Sequence, residues 1–444
     1  MDILEDIEHS PMSRFQVRAV AVATALMIVD GIDIAIAAYA APALSRSWNL
    51  DPVTLGFLLS SGLVGMAAGS LFLTPFSDRI GRRRLTLVAL TIASVGMILS
   101  VFAADVVQLM AFRVLAGLGI GGMIANNNVF VSEYSSEKRR GTIFGIYTMG
   151  FPIGATLGGL IASPLIPQFG WRSVFTVCAG ISVLVLLVAW RYLPESLDYL
   201  LSRRPAGALA SVNSIMVKMG RPAISALPPQ AADLQEQGRI KELFTGRTAA
   251  RTLLLWLGYG MMIASYYFAT TWTPKLMAAA TGDDALGVTM GLIINMGGIA
   301  GGIVFGVLAF FVKVRHLLFW GLLVAAAAYV IFGLVFNQTP VAILVGVGLG
   351  VITSVNVCGF YAATPTLFPA ALRGTGIGWM IGIGRLVSIV SPILVGYLLA
   401  GGWAAENIFI LFAAPLVISA LSMAGVWAMS GRESARESSP ALVH

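Results

Sequence analysis

Only two cysteines occur in 444 residues, Cys178 and Cys358, and both lie inside apolar runs. No disulfide framework and no thiolate metal site follows from them. Histidine is as scarce: His9, His316 and His444 sit in the tails or at a loop, in no ligand pattern. Charge is scarce too, at 11% of residues, against about 25% in a soluble protein. No nucleophile elbow or nucleotide loop is present, so an enzyme is not expected. No cofactor or metal is expected either. The net charge of +7 does not point to nucleic acid, because the basic residues cluster in short loops between apolar runs. The opening segment Met1 to Glu8 is acidic, without a basic stretch leading into a short apolar core, so no cleaved signal peptide is expected.

What fills the sequence instead is hydrophobic: 57% of residues, with 49 glycines. Apolar runs near twenty residues are long enough to cross a bilayer. Twelve spans are expected, near 19–44, 54–75, 85–104, 106–131, 142–165, 174–193, 252–277, 287–311, 317–336, 341–363, 375–399 and 407–429. The third and fourth are split only at Ala104 and Asp105. The expected fold is an all-α integral membrane protein of two six-helix halves, 1–193 and 251–444. They are joined by a polar linker, 194–250, with short surface helices such as Ala231–Phe244. With the N-terminus inside, Lys and Arg fall on the cytoplasmic side except Arg46, Arg172 and Lys275 outside and Arg113 and Arg385 within spans. Both termini are therefore expected in the cytoplasm, and short loops suit a bacterial inner membrane.

The halves repeat. A shift of 233 aligns Arg140, Gly141 and Thr142 with Arg373, Gly374 and Thr375, and Gly145 with Gly378. The same shift aligns Gly65 with Gly298, Gly69 with Gly302 and Arg82 with Arg315. Parallel six-span repeats are the layout of transporters that hold substrate near the midplane.

Four charges stand well inside spans, away from their ends: Asp30, Asp33, Arg113 and Arg385. Each Asp at a helix centre costs roughly 2.5–3.5 kcal/mol to insert. The spacing of Asp30 and Asp33 puts both on one helix face, which must avoid lipid. Like charge and desolvation both raise a carboxylate pKa, so this pair suits proton carriage. Arg385 has the planar fork that grips a carboxylate in two-point fashion. Arg113 can bind substrate anion or pair across the bundle; the second role alone would make it structural. Tyr266 and Trp379 are candidate walls for a flat ring, as are Tyr39, Tyr267, Trp272 and Tyr361, although such residues more often pack or sit at interfaces. Asn126, Asn295 and Asn356 could bond a ring hydroxyl, or bond neighbouring helices instead; so could Asn128.

Several stretches resemble the major facilitator superfamily. Asp78, Arg79, Gly81 and Arg82, between the second and third spans, resemble its gating loop, with Thr74 where the family has Gly. The resemblance implies a cytoplasmic latch at those four residues. Arg113, Gly117 and Gly119 resemble a fourth-span element of the family. The fifth span resembles the antiporter element but carries Ala155 in place of its Pro, which disfavours antiport. Pro194, Glu195 and Ser196 resemble an element of sugar-porter-like members. Within the superfamily, Asp30-Gly31-Ile32-Asp33 and the run from Arg373 through Arg385 to Pro392 resemble the aromatic acid:proton symporters. That resemblance implies import of a small aromatic carboxylate with protons. One chain with twelve spans suffices for transport, so a monomer in lipid is expected. The alternatives are a carrier of muconate or nicotinate, a drug or metabolite efflux antiporter, and a membrane sensor of aromatic acids.

Overall fold

A computed structural model of the chain describes residues 11–136, 140–228, 244, 246–368 and 373–437. Side chains at 78, 125, 140, 141, 246–248, 366, 373–375 and 430–437 also lie outside the description. Twelve helices among the described residues are long and apolar enough to cross a membrane. In chain order they are α1 (Arg14–Trp48), α2 (Pro52–Phe72), α3 (Arg82–Val101), α4 (Val106–Glu133), α5 (Arg140–Phe169) and α6 (Trp171–Tyr192). They continue with α7 (Gly246–Thr281), α8 (Asp284–Phe311), α9 (Val314–Val335), α10 (Thr339–Ala363) and α11 (Arg373–Ala400). The last is the span Ala405–Met429, α12. All twelve expected spans are found.

Three of these helices begin at capping residues. At the start of α1, Ser13 accepts from the Gln16 amide and Gln16 reaches back to the Ser13 N–H. Asp51 accepts from the amides of Val53 and Thr54 to begin α2. The narrow gap between α3 and α4 is held by a similar exchange. Asp105 accepts from the Gln108 amide while Gln108 accepts from Ala104 N–H. The α12 span breaks at Phe412, whose carbonyl takes the Ser265 hydroxyl at 2.7 Å.

Two short helices, Leu197–Arg203 and Ala208–Lys218, occupy the linker, and their apolar faces pack on each other through Leu200, Val212 and Met216. The helix expected over 231–244 falls outside the described residues apart from Phe244.

The chain divides into two compact units: residues 1–232 with 277–292, and residues 233–276 with 293–444. In the first, α1 packs on α5 and α6, α2 on α4, and α3 on α4 and α6. In the second, α9 packs on α10 and α12.

Glycines let helix backbones touch. A Cβ on Gly65 would meet the Val114 carbonyl oxygen at 2.1 Å, and one on Gly69 that of Leu118 at 2.0 Å. In the second unit, Gly297 meets the Val347 oxygen at 2.5 Å and Gly301 that of Val351 at 2.2 Å. Positions 347 and 351 follow 114 and 118 by 233, but 297 and 301 follow 65 and 69 by 232. Helix starts agree: α9 follows α3 by 232 and α10 follows α4 by 233. One extra residue therefore lies between the starts of α9 and α10. This corrects the single shift of 233. Gly65 matches Gly297 rather than Gly298, Gly69 matches Gly301 rather than Gly302, and Arg82 matches Val314 rather than Arg315.

Candidate functional site

Gly31 explains how two acids come to rest inside the first unit. A Cβ there would meet the Phe151 carbonyl oxygen at 2.0 Å, so α1 lies directly on α5 at this turn. Asp30 and Asp33, flanking that contact, are exposed by only 2% and 1%. Arg113 of α4 reaches Asp33 from the far side. Its two terminal nitrogens meet the two carboxylate oxygens at 2.5 and 2.8 Å, and one also donates to the Asp33 backbone oxygen at 2.8 Å. This is a two-point, charge-assisted pair. Both side chains are about 2% exposed. The Phe175 ring lies 6.0 Å from the guanidinium carbon, and the Met97 sulfur is 3.9 Å from one nitrogen. Space for the guanidinium comes from Gly62, where a Cβ would stand 3.2 Å from it. Breaking such a pair leaves an uncompensated buried charge, at a cost of about 3–5 kcal/mol.

In the second unit the corresponding backbone oxygen is also capped, but by a neutral group from a different helix. By the shift of 232, Asp33 corresponds to Ser265 and Met97 to Tyr329. The Ser265 backbone oxygen accepts from the Tyr329 hydroxyl at 2.6 Å. The cap comes from α9, the counterpart of α3, whereas Arg113 stands on α4 and corresponds to Gly346.

A second charged group gathers where the loop after α2 meets the end of α6. Gly81 has φ +99°, and a Cβ there would strike the Glu195 carboxylate at 2.6 Å. Arg82 lies 3.0 Å from Glu133 and 3.4 Å from Asp198. Ser196 donates to Glu133 at 2.6 Å. Glu195 accepts from the Arg83 amide at 2.9 Å, while the Arg83 side chain donates to the carbonyls of Leu193 and Trp190. Of the four loop residues singled out from sequence, Gly81 and Arg82 enter this network directly. Arg79 is exposed and contributes its carbonyl to Tyr199 at 3.4 Å. The side chain of Asp78 lies outside the described residues. Glu133, Glu195, Ser196 and Asp198 join the loop only in the fold. An acid closing an otherwise apolar span, and a second just after α6, were the available signals.

The other candidates spread out. Asn126 donates to the Arg82 carbonyl and the Thr86 hydroxyl, both at 2.7 Å, and Asn356 donates to the Gly321 carbonyl at 3.0 Å. Both amides tie neighbouring helices together, α4 to α3 and α10 to α9. Asn295 is buried on α8, and Tyr266 is half-buried on α7 against Tyr267. Tyr39 and Trp272 spend their donors on the carbonyls of Ala155 and Pro392. Arg385 is partly buried on α11. Trp379 stacks on Trp256 at 5.7 Å and stays 39% exposed. Six residues along a helix of 3.6 per turn put Trp379 and Arg385 on different faces, so the structure does not bring these two together. No cluster of metal-ligating side chains occurs among the described residues.

Comparison with known proteins follows the same lines. Residues 23–392 match the Major Facilitator Superfamily. A 4-hydroxybenzoate transporter of Pseudomonas aeruginosa is 30% identical over 430 residues, covering 94% of each chain. A benzoate transport protein of Acinetobacter baylyi is 30% identical over 417 residues, 90% of this chain and 87% of that one. The crystal structure of a D-xylose-proton symporter superposes with a TM-score of 0.73, at 16% identity, over 92% of this chain and 97% of that one.

Proposed function

The chain belongs to the major facilitator superfamily, a multi-pass transport protein, and from that premise we propose that it imports a small aromatic carboxylate together with protons. The observation that carries this reading is the buried Asp33–Arg113 pair with Asp30 one turn away. The similarity to carriers of 4-hydroxybenzoate and benzoate supports the substrate class.

The chemistry of coupling comes from charge neutrality. Without substrate, ionised Asp33 neutralises Arg113. A proton on Asp33 removes the carboxylate charge and leaves Arg113 with an uncompensated one. A substrate carboxylate can then supply the missing negative charge, so proton and anion are favoured together and each is disfavoured alone. Asp30, buried beside the pair, is the relay through which the proton reaches Asp33. Arg385 offers the first two-point grip on the incoming carboxylate. Arg82, with Glu133 and Asp198, forms the latch that opens and closes in the transport cycle. Asn295, Tyr266 and Trp379 line the substrate pathway in this reading, while Asn126 and Asn356 act through the helix ties their amides make. In this reading the chain acts as a monomer in a bacterial inner membrane, with both termini cytoplasmic.

The test is external pH in lightly buffered proteoliposomes as benzoate, 4-hydroxybenzoate, gentisate, protocatechuate, muconate and nicotinate are added in turn. Symport predicts alkalinisation outside with an aromatic acid. Uptake of labelled acid without any pH signal would contradict proton coupling, and a signal with muconate alone would contradict the aromatic class.

A further inference from the structure

One feature of the second unit enters neither the proton pair nor the latch. Tyr259 of α7 is 3% exposed. Its ring is wedged against Phe360 at 5.4 Å and against the backbone of Gly384. A Cβ on Gly384 would stand 2.3 Å from the Tyr259 ring edge, so this glycine leaves room for that ring. The Tyr259 hydroxyl meets the Tyr361 hydroxyl at 3.3 Å, with either as donor. Tyr361 itself is 38% exposed. The next residue after Gly384 is Arg385, on the same helix α11. Three helices of one unit thus bring together a guanidinium, a buried phenol and an accessible phenol.

We infer that the Tyr259–Tyr361 hydroxyl pair recognises a hydroxyl group on the ring of the transported acid, so that hydroxylated aromatic carboxylates are favoured over the bare ring. The inference rests on Arg385 taking the carboxylate, as proposed above. Each phenol oxygen can accept as well as donate. Their separation of 3.3 Å is long for O–H···O, where 2.7–2.8 Å is usual. A third hydroxyl can therefore improve on the contact that the two make with each other. The pair also sets the size of the effect. A site whose polar groups are orphaned by the wrong substrate discriminates by factors of about 10⁴. Here the two tyrosines bond each other when the ring brings no hydroxyl, so the penalty is that of one neutral hydrogen bond, about three- to tenfold. Tyr361 touches the substrate, and Tyr259 is a positioning residue that holds the Tyr361 hydroxyl in place.

The experiment measures uptake of labelled 4-hydroxybenzoate and labelled benzoate by the full chain in proteoliposomes under an inward proton gradient. The variants are Tyr361→Phe, Tyr259→Phe, Gly384→Ala and Arg385→Lys, each first checked for a single monodisperse species. The parent should show a lower KM for 4-hydroxybenzoate than for benzoate. Tyr361→Phe should raise the 4-hydroxybenzoate KM about three- to tenfold and leave benzoate unchanged. Tyr259→Phe and Gly384→Ala should narrow the same ratio. An unchanged ratio in Tyr361→Phe, or an equal rise for both acids, would overturn the inference. Failure of the Arg385 reading looks different: Arg385→Lys would then leave both KM values unaltered. A parent that carries neither acid would remove both.

Discussion

Asp33 and Arg113 are 80 positions apart in the chain and 2.5 Å apart in the fold. Each announced itself in the sequence by being a charge inside an apolar run, where insertion is costly. Their pairing did not, because two acids and two arginines allow several neutral pairings. The structure joins Arg113 to Asp33 and places Arg385 in the other unit. Residues that carry no insertion cost were harder to read. Glu133 closes α4 and looks like an ordinary boundary residue until Arg82 and Ser196 are seen on it. Tyr259 is one of many aromatic residues in spans, and nothing local marks it. Arg113→Met leaves Asp33 buried without its cation and should cost about 3–5 kcal/mol. The double variant Asp33→Asn with Arg113→Met should recover most of that loss. Thermal unfolding of the purified protein in detergent checks both, and an additive double variant would contradict the pairing.

Among elements, helix existence was legible and helix register was not. Hydropathy located twelve spans, because a bilayer demands long apolar helices whatever their partners. Helix ends depended on single caps such as Ser13, Asp51 and Asp105. The internal repeat was visible through its glycines, yet a single shift concealed one extra residue before α10. The backbone contacts of Gly65, Gly69, Gly297 and Gly301 reveal it, together with the helix starts, because they identify which turn of α2 meets α4 and which turn of α8 meets α10. These contacts give a sharp contrast. Gly65→Val puts a branched side chain into the Val114 carbonyl and should destabilise by about 1–3 kcal/mol or more. Gly145→Ala on α5, with nothing within 4 Å of the added Cβ, should be neutral or slightly stabilising. Melting temperatures of the two variants should fall on opposite sides of the tolerance line, and equal losses would refute the packing assignment.

At the scale of the whole molecule, the two units cap corresponding backbone oxygens with groups of different charge. The Asp33 carbonyl is capped by a guanidinium and the Ser265 carbonyl by a phenol. The caps come from helices that do not correspond, α4 and α9; on the function proposed above, the proton chemistry belongs to the first unit. Asparagine at position 33 has nearly the shape of protonated aspartate and cannot release a proton. The Asp33→Asn protein should therefore bind substrate and exchange it across the membrane while losing the coupling to the gradient. The decisive measurement is labelled 4-hydroxybenzoate in proteoliposomes of this variant, followed in two modes. Exchange against preloaded unlabelled acid should persist, and accumulation driven by an inward proton gradient should vanish. Accumulation at the parent level would show that Asp33 does not carry the coupled proton.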